Sequence, residues 1–173
     1  AGQLAAVAAI AAGFTGLISL FNIVGRFAWG SSSDLLGRKL TYCVFFVLGI
    51  LLYASAPWSG RLGAVALFVA AFCIILSIYG GGFATMPAYL ADMFGTQMVG
   101  AIMGRLLTAW SVAGVLGPLI VGYLREYQLE RGVPAAHAYD LVAYILCALL
   151  ALGLLCNVLV RPVADKHFMT EAE

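Results

Sequence analysis

Charge is what this sequence has least of: Lys, Arg, Asp and Glu together make up 10% of its 173 residues. Hydrophobic residues make up 64% and the mean hydropathy is +1.03, more apolar surface than a water-soluble domain of this size can fold away from solvent. The chain therefore reads as a membrane protein. Alternation of apolar and polar residues is also missing, which excludes lipid-facing barrel strands, and a lone hydrophobic strand would leave its backbone unpaired in lipid. The nine Lys and Arg are scattered rather than clustered, so nothing here follows a nucleic-acid backbone. Histidine is limited to His137, in a polar loop, and His167, in the tail, and neither stands at metal-ligand spacing from a cysteine. Cys43, Cys73, Cys147 and Cys156 lie singly in apolar runs and read as buried free thiols. No Ser, His and acid stand together inside an apolar segment, so neither an enzyme nor a metal or cofactor site is expected.

What is present is a series of nearly charge-free runs, each long enough for the roughly 20 helical residues that cross about 30 Å of hydrocarbon. An all-α protein is expected, with helices at about 4–29, 40–56, 62–83, 99–124 and 140–160 and a polar tail at 161–173. The first run is longer than a signal-peptide core and lacks a basic leader, so the start at Ala1 reads as a cut in a longer chain. Its small residues, among them Ala8, Ala12, Gly13 and Gly16, suit close packing against another helix. PWSGR, residues 57–61, reads as a tight turn with Trp58 in the interfacial aromatic belt. The third helix is expected to break in YGGGFATMP, residues 79–87, because three glycines weaken it and proline forbids continuation without a kink. AYLADMFG then reads as an interfacial turn carrying Asp92, and Gly114, Gly117 and Pro118 mark a flexible or closely packed point in the fourth helix.

Basic residues set the orientation. With the first connection cytoplasmic, that side holds Arg26, Arg38, Lys39, Arg105, Arg161 and Lys166, against Arg61, Arg125 and Arg131 opposite. This satisfies the positive-inside rule and puts the C-terminus in the cytoplasm.

GSSSDLLGRK, residues 30–39, has a spacing with a physical sense: Gly30 lets helices touch, Gly37 permits a sharp turn, and Asp34 can cap or pair across a closed gate. The alternative is a charged hairpin that only sets topology. The segment resembles the G-x-x-x-D-x-x-G-R-R/K motif of the major facilitator superfamily, matched at Gly30, Asp34, Gly37, Arg38 and Lys39, with Leu35 where a basic residue is usual. GRFAWGSSSDLLGRK and the stretch 79–118 resemble the oxalate/formate antiporter family within it. The resemblance implies five transmembrane helices forming most of the C-terminal six-helix bundle of a twelve-helix fold, with the N-terminal half absent from this sequence. It implies a secondary active transporter of a small organic anion, a monocarboxylate or oxalate, working by alternating access in a bacterial-type plasma membrane. A five-helix subunit that transports nothing is the alternative.

Arg26 lies eight residues, about 12 Å along a helix, before Asp34. Burying it in hydrocarbon costs at least about 2.5 kcal/mol, so it either faces a cavity or snorkels to the headgroups. The resemblance assigns it to the substrate carboxylate, which a guanidinium can grip with two parallel hydrogen bonds. Asn22, one helical turn earlier, stands where monocarboxylate transporters have a titrating Asp, so proton coupling at that position is not expected. Thr108 and Ala109 are followed by Trp110 where oxalate exchangers have a lysine, so one fixed cation remains and a monocarboxylate is the simpler match. Trp110 is either a wall of the site or a packing residue, with Thr108 and Tyr79 shaping the same pocket. Arg38 or Lys39 is expected to pair with Asp92 as a gate.

Overall fold

A computed structural model of the chain describes residues 2–61, 63–134 and 137–162, and the side chains from residue 8 to 59, 63 to 134 and 137 to 162. Five helices follow one another: α1 (Gly2–Leu36), α2 (Arg38–Arg61), α3 (Val65–Phe94), α4 (Val99–Glu130) and α5 (Asp140–Leu159). All five contain stretches long and apolar enough to cross a membrane. The expected tail beyond residue 162, with Lys166 and His167, and the Arg61 side chain lie outside the described residues.

The main body is two helix pairs, α1 on α3 and α2 on α5, joined where α2 also meets α3. Contacts ascend in step along α1 and α3, from Phe14 on Phe72 to Asn22 on Leu76 and Trp29 on Gly81, so the two helices run parallel. Close approach depends on glycine: a Cβ on Gly25 would strike the Ser77 backbone, and one on Gly80 would strike the Asn22 carbonyl. Gly25→Val should therefore cost about 1–3 kcal/mol or more of folded-state stability, measurable as a lowered unfolding temperature in detergent. Gly30, expected to mediate such a contact, has nothing within 4 Å of an added Cβ among the described residues.

Helix ends depart from expectation because residues read as stops lie inside helices. α1 runs on through the three serines to Leu36, with Ser32 and Ser33 donating back to the carbonyls of Ala28 and Gly30 at 2.7 Å. Gly37, at φ +87°, then turns the chain directly into α2. PWSGR is not a turn, because α2 continues through Pro57 to Arg61 and the chain reverses at Gly63, φ +63°. α3 does not break at its glycines: Gly80 and Gly81 form the seam with α1, Gly82 faces Phe45 of α2, and the helix continues through Pro87 to Phe94; the hydroxyls of Thr85 and Tyr42 donate to the carbonyls of Gly81 and Gly82 at 2.9 and 2.7 Å. Asp92 thus sits in the last turn of α3 rather than in a separate interfacial turn.

α4 is the outlier. It runs unbroken through Pro118, touches α3 and α5 only lightly, and has no buried residue. Gly114 and Gly117 have nothing within 4 Å of an added Cβ, so the expected close contact there is not made among the described residues.

Candidate substrate site

The α1–α3 seam positions the middle of the bundle. The Asn22 amide donates to the Leu76 carbonyl at 3.3 Å, and the Trp29 indole N–H donates to Ser77 Oγ, also at 3.3 Å. These contacts fix residues 22–29 of α1 against residues 76–81 of α3. Arg26 lies inside this register, exposed, with no hydrogen-bond or ion-pair partner among the described residues. At 100° per residue Arg26 stands about 70° round α1 from the seam and Tyr79 about 130° round α3 from it, and because the helices are parallel both turn to the same side. Tyr79 is at the midpoint of α3, 14 residues from its first residue and 15 from its last.

On that side α4 meets α3 through three aromatic rings. Trp110 Nε1 donates to the Tyr79 hydroxyl oxygen at 3.2 Å, and Phe83 lies edge-on to Trp110 with centroids 5.7 Å apart. Asn22, Arg26, Tyr79 and Trp110 therefore share one level of the bundle. Thr108 does not join them: two residues before Trp110 it points about 200° away round α4, and its hydroxyl donates to the Arg105 carbonyl at 2.7 Å. Phe83, which sequence reasoning passed over, braces both Tyr79 and Trp110. Its spacing of four from Tyr79 on a helix was the available signal.

A second polar centre lies at the end carrying Gly37. Arg38 pairs with Asp34 and hydrogen-bonds Ser33 Oγ, and its Nε stands 3.8 Å from Asp92 Oδ2, so one guanidinium links the ends of α1 and α3. Lys39 does not turn to Asp92; Nζ donates to the carbonyls of Val158 and Val160 at 2.9 and 2.8 Å, capping the C-terminus of α5 where its dipole is negative. Asn157 was another missed residue. It accepts from Tyr89 at 2.9 Å and donates to the Lys39 carbonyl at 3.2 Å, tying α3 and α2 to α5. An amide in an otherwise apolar span was its visible mark.

Five long apolar helices, with an exposed arginine midway that has no partner among the described residues and a guanidinium-carboxylate cluster at one end, make this a multi-pass membrane protein. A sequence model of the Major Facilitator Superfamily matches residues 3–171, and the chain belongs to that family of transporters. It is 34% identical to the oxalate:formate antiporter of Oxalobacter formigenes over 57% of this chain and 23% of that protein. It is 30% identical to the glucose transporter GlcP of Staphylococcus epidermidis over 58% of this chain and 22% of that protein. Identity to monocarboxylate transporter 14 of Mus musculus is 24%, over 86% of this chain and 27% of that protein. The chain thus spans about a quarter of the length of these curated relatives. No solved structure gives a significant match.

Proposed function

We propose that this chain is most of the C-terminal bundle of a secondary transporter that carries a small organic anion, a monocarboxylate of the formate or pyruvate kind or oxalate, by alternating access. Arg26 holds the carboxylate, and Asn22, Tyr79 and Trp110 form the surrounding wall. Thr108, whose hydroxyl is engaged by the Arg105 carbonyl, stays outside this group. The observation that carries this reading is an arginine at mid-depth without a partner among the described residues, because a membrane protein retains such a charge where a ligand or cavity compensates it. Two relatives named for oxalate, formate and monocarboxylates support the same substrate class.

Gly30, Asp34, Gly37, Arg38, Lys39 and Asp92 form the gate region at the cytoplasmic end. Arg38 is its bridging cation, and Lys39 anchors α5. The N-terminal half of the transporter supplies the other wall of the cavity, and the bacterial-type plasma membrane is its location. A glucose carrier is the second reading, favoured by the relative GlcP, but a neutral sugar leaves the Arg26 charge unmet. The discriminating experiment is counterflow by the full-length protein in proteoliposomes, with formate, oxalate, pyruvate, lactate and glucose as competitors. Carboxylates should compete and glucose should not; competition by glucose alone refutes the proposal.

A further inference from the structure

An indole N–H donates hydrogen bonds and accepts none. In the 3.2 Å contact with Trp110, the Tyr79 oxygen is therefore the acceptor, and the Tyr79 hydroxyl hydrogen is left directed elsewhere. No second partner for that hydroxyl occurs among the described residues. An unused O–H donor is costly in hydrocarbon, and Tyr and Trp ordinarily settle at the membrane interface rather than midway through a span. Both side chains are nevertheless about half exposed, at 49% for Tyr79 and 53% for Trp110. Phe83 holds the pair in place, and Arg26 turns to the same side of the α1–α3 seam.

We propose that Tyr79 is a second donor to the substrate carboxylate and that Trp110 is a positioning residue that fixes the direction of its O–H. This rests on the reading of Arg26 as the carboxylate site. A carboxylate offers about four lone-pair directions. A bidentate guanidinium occupies two, and a hydroxyl donor takes a third. The hydroxyl brings no charge, so one cation plus one neutral donor matches a monoanion, while a dianion meets its second charge with only a dipole.

The test is a set of variants in the full-length transporter, with membrane amounts matched. Tyr79→Phe keeps the ring and removes the donor, and should raise the carboxylate KM roughly tenfold, the usual loss for a hydrogen bond to a charged acceptor. Trp110→Phe keeps the ring packing but frees the hydroxyl, and should raise KM about threefold; Trp110→His, which restores a ring N–H, should recover most of it. The double variant Tyr79→Phe/Trp110→Phe should match Tyr79→Phe alone, because Phe at 110 keeps the wall and removes only the hold on that hydroxyl. An unchanged KM in Tyr79→Phe, full additivity in the double variant, or no recovery with His overturns the proposal. Should Tyr79→Phe not reach the membrane, the Phe and His variants at Trp110 decide the matter. Arg26→Ala separates the levels: lost uptake there with an unchanged KM in Tyr79→Phe removes the second donor only, whereas undiminished uptake in Arg26→Ala removes the carboxylate site itself.

Discussion

Arg26→Ala should lower carboxylate uptake by the full-length transporter by a factor of about 100 to 1,000, with normal or increased amounts in the membrane. The size follows from losing a charge-assisted bidentate grip, about 3–4 kcal/mol at roughly 1.4 kcal/mol per factor of ten. The second half of the prediction has the opposite sign. Removing a mid-depth arginine lifts an insertion cost of at least about 2.5 kcal/mol, so the folded protein should not be weakened. Among the described residues Arg26 makes no hydrogen bond or ion pair whose loss would offset that gain. Arg26→Lys, which keeps the charge and loses the planar fork, should fall between, at roughly a tenfold loss. Transport assays on protein quantified in purified membranes check both signs. Equal falls in uptake and in membrane protein would mean that Arg26 serves folding.

Trp110→Lys should change which anion the site prefers. A second cation about 6 Å from the substrate contributes about 3 kcal/mol per unit charge at an effective dielectric constant of 20, before desolvation is subtracted. A dianion gains about twice what a monoanion gains, so the ratio of oxalate to formate uptake should rise at least about tenfold. The local setting tolerates the change, because Trp110 is half exposed and α4 buries no residue. The same variant also breaks the bond to Tyr79, which offsets part of the gain for formate. Competition of unlabelled oxalate against labelled formate measures the ratio directly. An unchanged ratio would place Trp110 away from the substrate.

Helix number was legible because hydrocarbon tolerates almost no charge, and the charged positions therefore bracket the spans. Helix ends were not. Pro57 and Pro87 read as stops under rules made for helices in water, where freed carbonyls are easily hydrated. In this chain both helices continue through the proline. The same difference separates Gly30 from Gly25. Motif resemblance drew attention to Gly30, but the α1–α3 seam is at Gly25 and Gly80, and which glycine faces a partner depends on rotation that spacing within one helix does not reveal.

At the candidate site, Arg26 was visible because a single charge interrupts an apolar run, and Asn22 because it is one turn away on the same face. Tyr79 and Trp110 lie 31 residues apart, and only the packing of α3 on α4 joins them. Thr108 and Trp110 stand two apart in sequence, which in a helix separates rather than unites them. Lys39 illustrates competition between partners. Asp92 is a formal opposite charge, but the carbonyls ending α5 are closer, and Arg38 takes the Asp92 side.

The most direct test of the central claim is a change of charge sign at one position. In a full-length protein whose Cys43, Cys73, Cys147 and Cys156 are replaced by Ala, Arg26→Cys should be inactive in formate uptake. Reaction of that thiol with a cationic ethylammonium methanethiosulfonate should restore part of the uptake, and the anionic ethylsulfonate reagent of similar length should not. Restoration by the anionic reagent, or full activity in the unmodified cysteine variant, would contradict a carboxylate held by a positive charge at Arg26.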